Sequence, residues 1–183
     1  MNSWATAPEY MQIIPKVRLL MMGSYAQSFM QRLESIKNGL IKDGLTNCRM
    51  TKDFSTPSRM LNEPEKLYSL RKSEYWIRQA DVLFFIFFFG TDNGSIGLEL
   101  STTLGQTPGN AWRTLLAYQE NVPSLIEGYG IRFQPEISVI PFSDDIDLQK
   151  QATGNVVRLL GRLYSAVSTR PDGEWECSSV WAR

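Results

Sequence analysis

An uninterrupted run of apolar residues at positions 82–89 is the strongest pattern in the chain. A strand that is apolar at every position is covered on both faces, so it belongs in the middle of a parallel sheet. Apolar positions at helical spacing precede this run over residues 65–80, and a glycine-rich turn follows it. The pattern predicts a helix, a buried strand and a second helix over 95–104, capped at its start by Asn93 or Ser95.

The rest of the chain continues this alternation of strands and helices. An apolar segment at 17–24 predicts a first strand, and the amphipathic segment 25–43 predicts a helix that ends at the C-cap glycine Gly44. Further strands are predicted at 47–53, 122–126 and 137–142, and further helices at 111–120 and 144–167, the last capped by Ser143 or Asp144. Together these elements predict an α/β fold, a flavodoxin-like doubly wound parallel sheet of about five strands flanked by helices.

The length of 183 residues and a hydrophobic content of 43% fit a single domain with one sizeable core. We expect an N-terminal extension over 1–16, the α/β domain over 17–168 and a C-terminal tail over 169–183. Segment 1–16 lacks the apolar core of a signal peptide, and the run at 82–89 is far shorter than the ~20 residues that span a bilayer. These features predict a cytoplasmic protein with no membrane partner.

The composition excludes several classes of chemistry. Histidine is absent, which excludes histidine acid-base catalysis, Ser-His and Cys-His nucleophile pairs and histidine-ligated metals. Nineteen basic and nineteen acidic residues cancel without a long run of one sign, so we expect no nucleic-acid partner. Cys48 and Cys177 are far apart and match no zinc spacing, so idle thiols are the preferred interpretation. We expect no metal and no cofactor, and chemistry based on carboxylates, hydroxyls and backbone groups.

The turn after the buried strand is the candidate site, because ligands bind at the carboxyl ends of the strands in open α/β sheets. It contains Asp92, Gly94 and Ser95, and Glu99 follows in the next helix. Glu99 is the candidate functional carboxylate, although an acid favoured by the helix dipole is the alternative interpretation. Asp92 also fits a simple turn residue. Tyr25, just after the first strand, is a candidate ligand contact or a packing residue.

Three segments of the chain resemble the nucleoside 2-deoxyribosyltransferase family, and its branch of 2'-deoxynucleoside 5'-phosphate N-hydrolases most closely. The segments are Gly23-Ser24, Trp76-Ile77-Arg78-Gln79-Ala80-Asp81-Val82 and Ser95-Ile96-Gly97-Leu98-Glu99-Leu100. The resemblance covers roughly residues 17–105. It implies that Glu99 is the nucleophile at the anomeric carbon and that Gly23 and Ser24 contact the sugar or its 5'-phosphate.

The chain departs from this family at two places. The family's aspartate, three residues before the tryptophan, is replaced by Ser73, and Glu74 beside it is the candidate substitute acid. The arginine and glycines that bind phosphate in the hydrolases are replaced by Tyr25-Ala26-Gln27. Asp81 falls at the amino-terminal side of the buried strand, away from the expected site, so we interpret it as a structural acid.

Three hypotheses of function follow. The first is an enzyme that cleaves or transfers the N-glycosidic bond of a nucleoside, nucleotide or dinucleotide, because a carboxylate stabilises or traps a cation-like sugar. The second is a TIR-like NAD hydrolase, of the kind found in defence effectors, which shares only the sheet architecture. The third is a non-catalytic nucleotide-binding sensor, favoured by Ser73. Members of the deoxyribosyltransferase family commonly complete their sites with a neighbouring subunit, and the tail carries Trp175 and Trp181, so we expect a homo-oligomer. The alternative is a tail that folds back over its own sheet and buries both tryptophans within one chain.

Overall fold

The computed structural model describes residues 8–106, 108–122 and 136–168. The strands are β1 (Leu19–Met22), β2 (Cys48–Met50), β3 (Val82–Phe87), β4 (Thr114–Gln119) and β5 (Ser138–Phe142). The helices are α1 (Pro8–Ile13), α2 (Gln27–Lys42), α3 (Glu65–Gln79), α4 (Gly94–Gln106) and α5 (Asp145–Ser168). Short 3-10 turns cover Ile14–Lys16, Thr51–Asp53 and Pro108–Arg113.

The strands form one five-stranded sheet in the order β2-β1-β3-β4-β5, with every neighbouring pair parallel. This topology confirms the predicted flavodoxin-like α/β fold. The direction of winding reverses between β1 and β3, where Met22, the last residue of β1, is paired with Phe85. In folds of this class the ligand crevice lies at such a reversal.

The sheet separates two apolar layers, because successive side chains of a strand point to opposite faces. Leu19, Phe84 and Ile86 face a core shared with α1, α2 and α5. Leu20 and Phe85 face a second core shared with α3 and α4. All six residues of β3 are buried, which explains why its sequence shows no alternation of apolar and polar positions.

Most predicted elements are present, with boundaries shifted by a few residues. Gly44 ends α2 with a φ of +104°, a conformation that glycine adopts readily. Asp144 caps α5, since its Oδ1 accepts hydrogen bonds from the backbone N–H groups of Ile146 at 2.9 Å and Asp147 at 2.8 Å. The helix begins at Asp145, one residue after the predicted start.

The predicted helix at 111–120 is wrong. Residues Pro108–Arg113 form a 3-10 turn, and Thr114–Gln119 form β4 between β3 and β5. The cause is the short apolar stretch around Leu115 and Leu116, which periodicity alone cannot assign to helix or strand. Val122 follows the strand in irregular backbone, and residues 123–126 of the predicted strand lie outside the described residues, as does the tail at 169–183.

The amino-terminal edge of the sheet holds a buried ion pair. Asp81 accepts hydrogen bonds from the backbone N–H of Arg18 at 2.9 Å and from Arg18 Nη2 at 3.1 Å. Arg18 and Asp81 expose 1% and 0% of their side chains. This contact gives Asp81 a structural role on the edge opposite to the candidate site. None of the helices in the described ranges is both long and apolar enough to cross a membrane.

Candidate functional site

Glu99 lies in the second turn of α4 and is half-buried against α3. Its Oε1 accepts a hydrogen bond from Ser73 Oγ at 2.9 Å. Ser73 lies in the middle of α3 and is 3% exposed. The hydrogen bond therefore fixes the carboxylate at the interface between the two helices that cover this face of the sheet.

The surroundings of Glu99 disfavour its charge. Burial raises the pKa of the Glu99 carboxyl above its ordinary value, and the hydrogen bond from Ser73 acts in the opposite direction. A group that is desolvated but hydrogen-bonded in this way is typical of functional carboxyls, although structural groups also show it. The position gives Glu99 a proton affinity that an exposed glutamate on the same helix would lack.

A cavity of about 20 Å³ lies between α3 and α4 beside Glu99. Glu74 also lines it, so the two candidate catalytic carboxyls share one cavity. The remaining lining residues are Leu70, Ser73, Ile77, Arg78, Thr102, Thr103 and Asn110. This volume accepts about one water molecule, so a base or a sugar does not fit between the helices. A substrate would have to approach Glu99 from the loops at the carboxyl ends of the strands.

The loop after β1 contains three of the predicted binding residues. A Cβ atom at Gly23 would lie 2.7 Å from Leu33 Cδ2, so glycine permits α2 to pack closely here. The hydroxyl oxygens of Ser24 and Thr91 are 2.8 Å apart, which joins this loop to the turn after β3. Gly23 and Ser24 are both buried, so of the three only Tyr25 exposes a large side chain.

Tyr25 connects the loop after β1 to the 3-10 turn after β2. Its phenol oxygen lies 2.8 Å from Thr51 Oγ1. Burial of the phenol raises its pKa to about 12, and the negative charge of Glu99 contributes in the same direction. The residue nevertheless leaves 37% of its surface exposed. Tyr25 therefore presents a neutral hydroxyl within the electrostatic influence of Glu99 and an accessible ring surface.

The turn after β3 is held by its own side chains. Asp92 Oδ1 accepts a hydrogen bond from the backbone N–H of Gly94 at 2.9 Å, as in an Asx turn. The Asn93 amide donates to the carbonyl oxygens of Phe88 and Thr91, so its side chain fixes the preceding turn rather than capping α4. Gly94 and Ser95 are exposed at the start of α4. The geometry supports the turn interpretation of Asp92.

An open groove of about 500 Å³ lies at the carboxyl ends of β4 and β5. None of the predicted site residues lines it. Arg32 crosses the groove and forms a two-pronged pair with Asp145, with distances of 3.1 and 2.7 Å. The guanidinium also lies 4.3 Å from the centre of the Phe88 ring. Arg32 is thus already paired and stacked within the fold.

The predicted residues therefore form two groups. Glu99 and Glu74 share the cavity between α3 and α4, whereas the loop residues Ser24 and Tyr25 contact the hydroxyls of Thr91 and Thr51. Tyr25 relates the two groups, because the negative charge of Glu99 contributes to the raised pKa of its phenol. Sequence reasoning did not identify Thr51 and Thr91 as loop contacts, because a threonine hydroxyl has no characteristic spacing; their positions just after β2 and β3 were the available signal.

No family model, curated protein or solved structure matches the chain. Among the residues that the structure describes, no group of three or more histidine, cysteine, aspartate or glutamate side chains is placed to hold a metal ion.

Proposed function

We propose that the chain cleaves or transfers the N-glycosidic bond of a nucleoside, nucleotide or dinucleotide, with Glu99 as the nucleophile. The observation that carries this proposal is the half-buried Glu99 carboxyl, hydrogen-bonded to Ser73 and close enough to Tyr25 to influence its pKa. The segments around Gly23, Trp76 and Glu99 that resemble the deoxyribosyltransferase family support the same function.

The reaction has two steps. In the first, the Glu99 carboxylate forms a bond to the anomeric carbon as the bond to the base nitrogen breaks, and the departing base takes a proton. Glu74 is the candidate donor of that proton, through the one water molecule that its shared cavity with Glu99 accepts. In the second, a water molecule or another base attacks the anomeric carbon and releases Glu99. An attacking water molecule gives a proton to the Glu74 carboxylate and completes hydrolysis; an attacking base gives its N–H proton to the same carboxylate and completes transfer.

The remaining predicted residues form the binding surface in this proposal. Tyr25 offers a ring surface and a hydroxyl that stays protonated at neutral pH, since its pKa is about 12. Gly23 and Ser24 supply the loop after β1, and Asp92, Gly94 and Ser95 supply the turn that opens α4. Gly94 and Ser95 are exposed at the start of α4, and in this proposal they contact a sugar hydroxyl.

A chromatographic assay of base release tests the proposal. Purified protein is incubated separately with deoxynucleosides, deoxynucleoside monophosphates and NAD, and the free base or nicotinamide is quantified. We expect release from one of these pools by the parent chain and at least a thousandfold loss in Glu99→Gln. Glu65→Gln is the matched control, because Glu65 is an exposed acid of α3 whose side chain is 69% accessible. Equal turnover by Glu99→Gln and the parent would exclude Glu99 as the nucleophile.

A nucleotide-binding sensor without catalysis is the second candidate function. Ser73 favours it, because a serine hydroxyl faces Glu99 at the position where the related enzymes carry an acid. The test is thermal unfolding with the same three pools of compounds. A rise in the unfolding midpoint without any release of base would support the sensor. Release of nicotinamide from NAD alone would instead favour the TIR-like hydrolase.

We also propose that the chain assembles as a homo-oligomer. The support is the aromatic tail, since tryptophan is enriched in interface cores. Light scattering at micromolar concentration measures the mass, and deletion of residues 171–183 is expected to weaken the assembly. A monomeric mass that is unchanged by nucleotide would contradict the proposal.

A further inference from the structure

The hydroxyl of Ser73 is used across the helix interface rather than within its own helix. A serine in a helix interior often bonds to a backbone carbonyl one turn earlier, and it is a weaker helix former than alanine. Ser73 Oγ instead donates to Glu99 Oε1 at 2.9 Å, and the residue is 3% exposed. The serine therefore serves a contact between α3 and α4 that an alanine could not make.

This contact involves one of the two carboxylate oxygens. Ser73 is the one hydrogen-bond donor to Glu99 found within the described part of the chain. Oε1 is thereby held, and Oε2 keeps its lone pairs for another partner. A hydrogen bond to one oxygen restricts the orientation of the carboxylate, and a restricted orientation is what a near-attack geometry requires.

We propose that Ser73 is a positioning residue for the Glu99 nucleophile: its hydroxyl holds Oε1 so that Oε2 is the oxygen that attacks the anomeric carbon. The inference rests on the proposed function and extends it, because it assigns a role to Ser73, which stands where the family that the chain resembles carries an aspartate. Ser73 does not touch the substrate in this assignment and acts only through Glu99.

The electrostatic consequence agrees with this role. A donor to the ionised carboxylate stabilises the charged form, so the contact opposes the effect of burial on the Glu99 pKa. Removal of the hydroxyl is expected to raise the pKa of Glu99 further, because the ionised carboxylate loses the donor that stabilises it.

The test compares Ser73→Ala, Ser73→Thr and Ser69→Ala with the parent. Ser69 is the matched control, since it is exposed on the same helix one turn earlier. Carbon-13 NMR titration of the Glu99 carboxyl, identified by its loss in Glu99→Gln, is the first readout and needs no activity. We expect Ser73→Ala to raise the Glu99 pKa, Ser73→Thr to restore it and Ser69→Ala to leave it unchanged. An unchanged titration in Ser73→Ala would overturn the proposal.

The second readout is the pH dependence of base release. We expect Ser73→Ala to lower kcat about tenfold with KM nearly unchanged, and to move the acidic limb of the profile to higher pH by the shift seen in the titration. Unaltered kcat and an unaltered limb would overturn the positioning role even if the titration shifts. An inactive parent would overturn the proposed function, and the titration would then still establish whether Ser73 controls the Glu99 charge.

Discussion

The hydroxyl oxygens of Ser24 and Thr91 lie 2.8 Å apart and bridge the loops that follow β1 and β3. These are the strands between which the winding of the sheet reverses. The bridge therefore joins the two loops at the point of the sheet where folds of this class bind their ligands.

The strength of this bridge is measurable by a double-mutant cycle. Ser24→Ala and Thr91→Val each remove one hydroxyl with little change in shape. We expect a coupling free energy of about 0.5–1.5 kcal/mol, the usual net contribution of a hydrogen bond between uncharged groups. Urea unfolding of the parent, both single variants and the double variant gives the value. Strictly additive effects would show that the two side chains do not interact in solution.

Glu99→Gln is expected to be at least as stable as the parent at neutral pH. The folded-state pKa of Glu99 is raised, so the folded chain holds this proton more tightly than the unfolded chain does. Stability therefore falls as pH rises from the unfolded pKa through the folded one, and glutamine removes that loss. Each kcal/mol gained corresponds to a midpoint about 2–4 °C higher.

The control for this prediction is pH itself. Thermal unfolding at pH 8 is expected to favour Glu99→Gln, and the advantage is expected to shrink as the pH falls below the pKa of the unfolded chain, where the carboxyl becomes protonated in both states. A variant that unfolds below the parent at pH 8 would mean that the ionised carboxylate stabilises the fold.

Asp81→Ala is expected to destabilise the chain by about 3–5 kcal/mol, because it leaves the buried guanidinium of Arg18 without its carboxylate. Asp81 also stabilises the charge of Arg113, whose pKa burial lowers to about 10. Glu65→Ala, which breaks the exposed pair with Arg59, is expected to cost less than about 1 kcal/mol. Chemical denaturation measures the free energy of unfolding of both variants. Similar losses of stability would show that another group compensates the charge of Arg18.

Gly23→Ala is expected to destabilise the fold by about 1–3 kcal/mol, since its new methyl group would overlap the fully buried Leu33 side chain. Gly154→Ala is the matched control, with the opposite expected effect on stability. Gly154 lies in α5 with nothing within 4 Å of the added carbon, so the substitution is expected to stabilise by up to about 1 kcal/mol. Thermal melts of the two variants should move in opposite directions, and a stabilised Gly23→Ala would indicate that Leu33 adapts freely.

The sequence alone predicted the elements that have a strong hydrophobic pattern or a clear terminating residue. The apolar run of β3, the amphipathic stripe of α2 and the glycine at position 44 each have a direct physical consequence, and each prediction was confirmed. The assignment of 111–120 was wrong because Leu115 and Leu116 fit either period, and the burial of β4 between its neighbours decides the structure. Such tertiary context is not visible in a local pattern.

The candidate site was predictable in part for a similar reason. The chain position of Glu99, just after a buried strand and a glycine turn, placed it near the carboxyl edge of the sheet. Its contact with Ser73 joins residues 26 positions apart on two helices, so only the packing of α3 on α4 reveals it. The hydroxyl contacts of Thr51 and Thr91 depend in the same way on how neighbouring loops meet.

The buried thiol of Cys48 allows the opening of the edge strand β2 to be measured. Cys48 begins β2, is 0% exposed and has a pKa that burial raises to about 12. A thiol reagent attacks the thiolate, so it modifies Cys48 only after the edge strand opens. In a chain that carries Cys177→Ser, the modification rate therefore reports the opening of the strand that leads into Thr51. The Cys48 thiol is thus an intrinsic probe of local opening near the Thr51 hydroxyl, which contacts Tyr25.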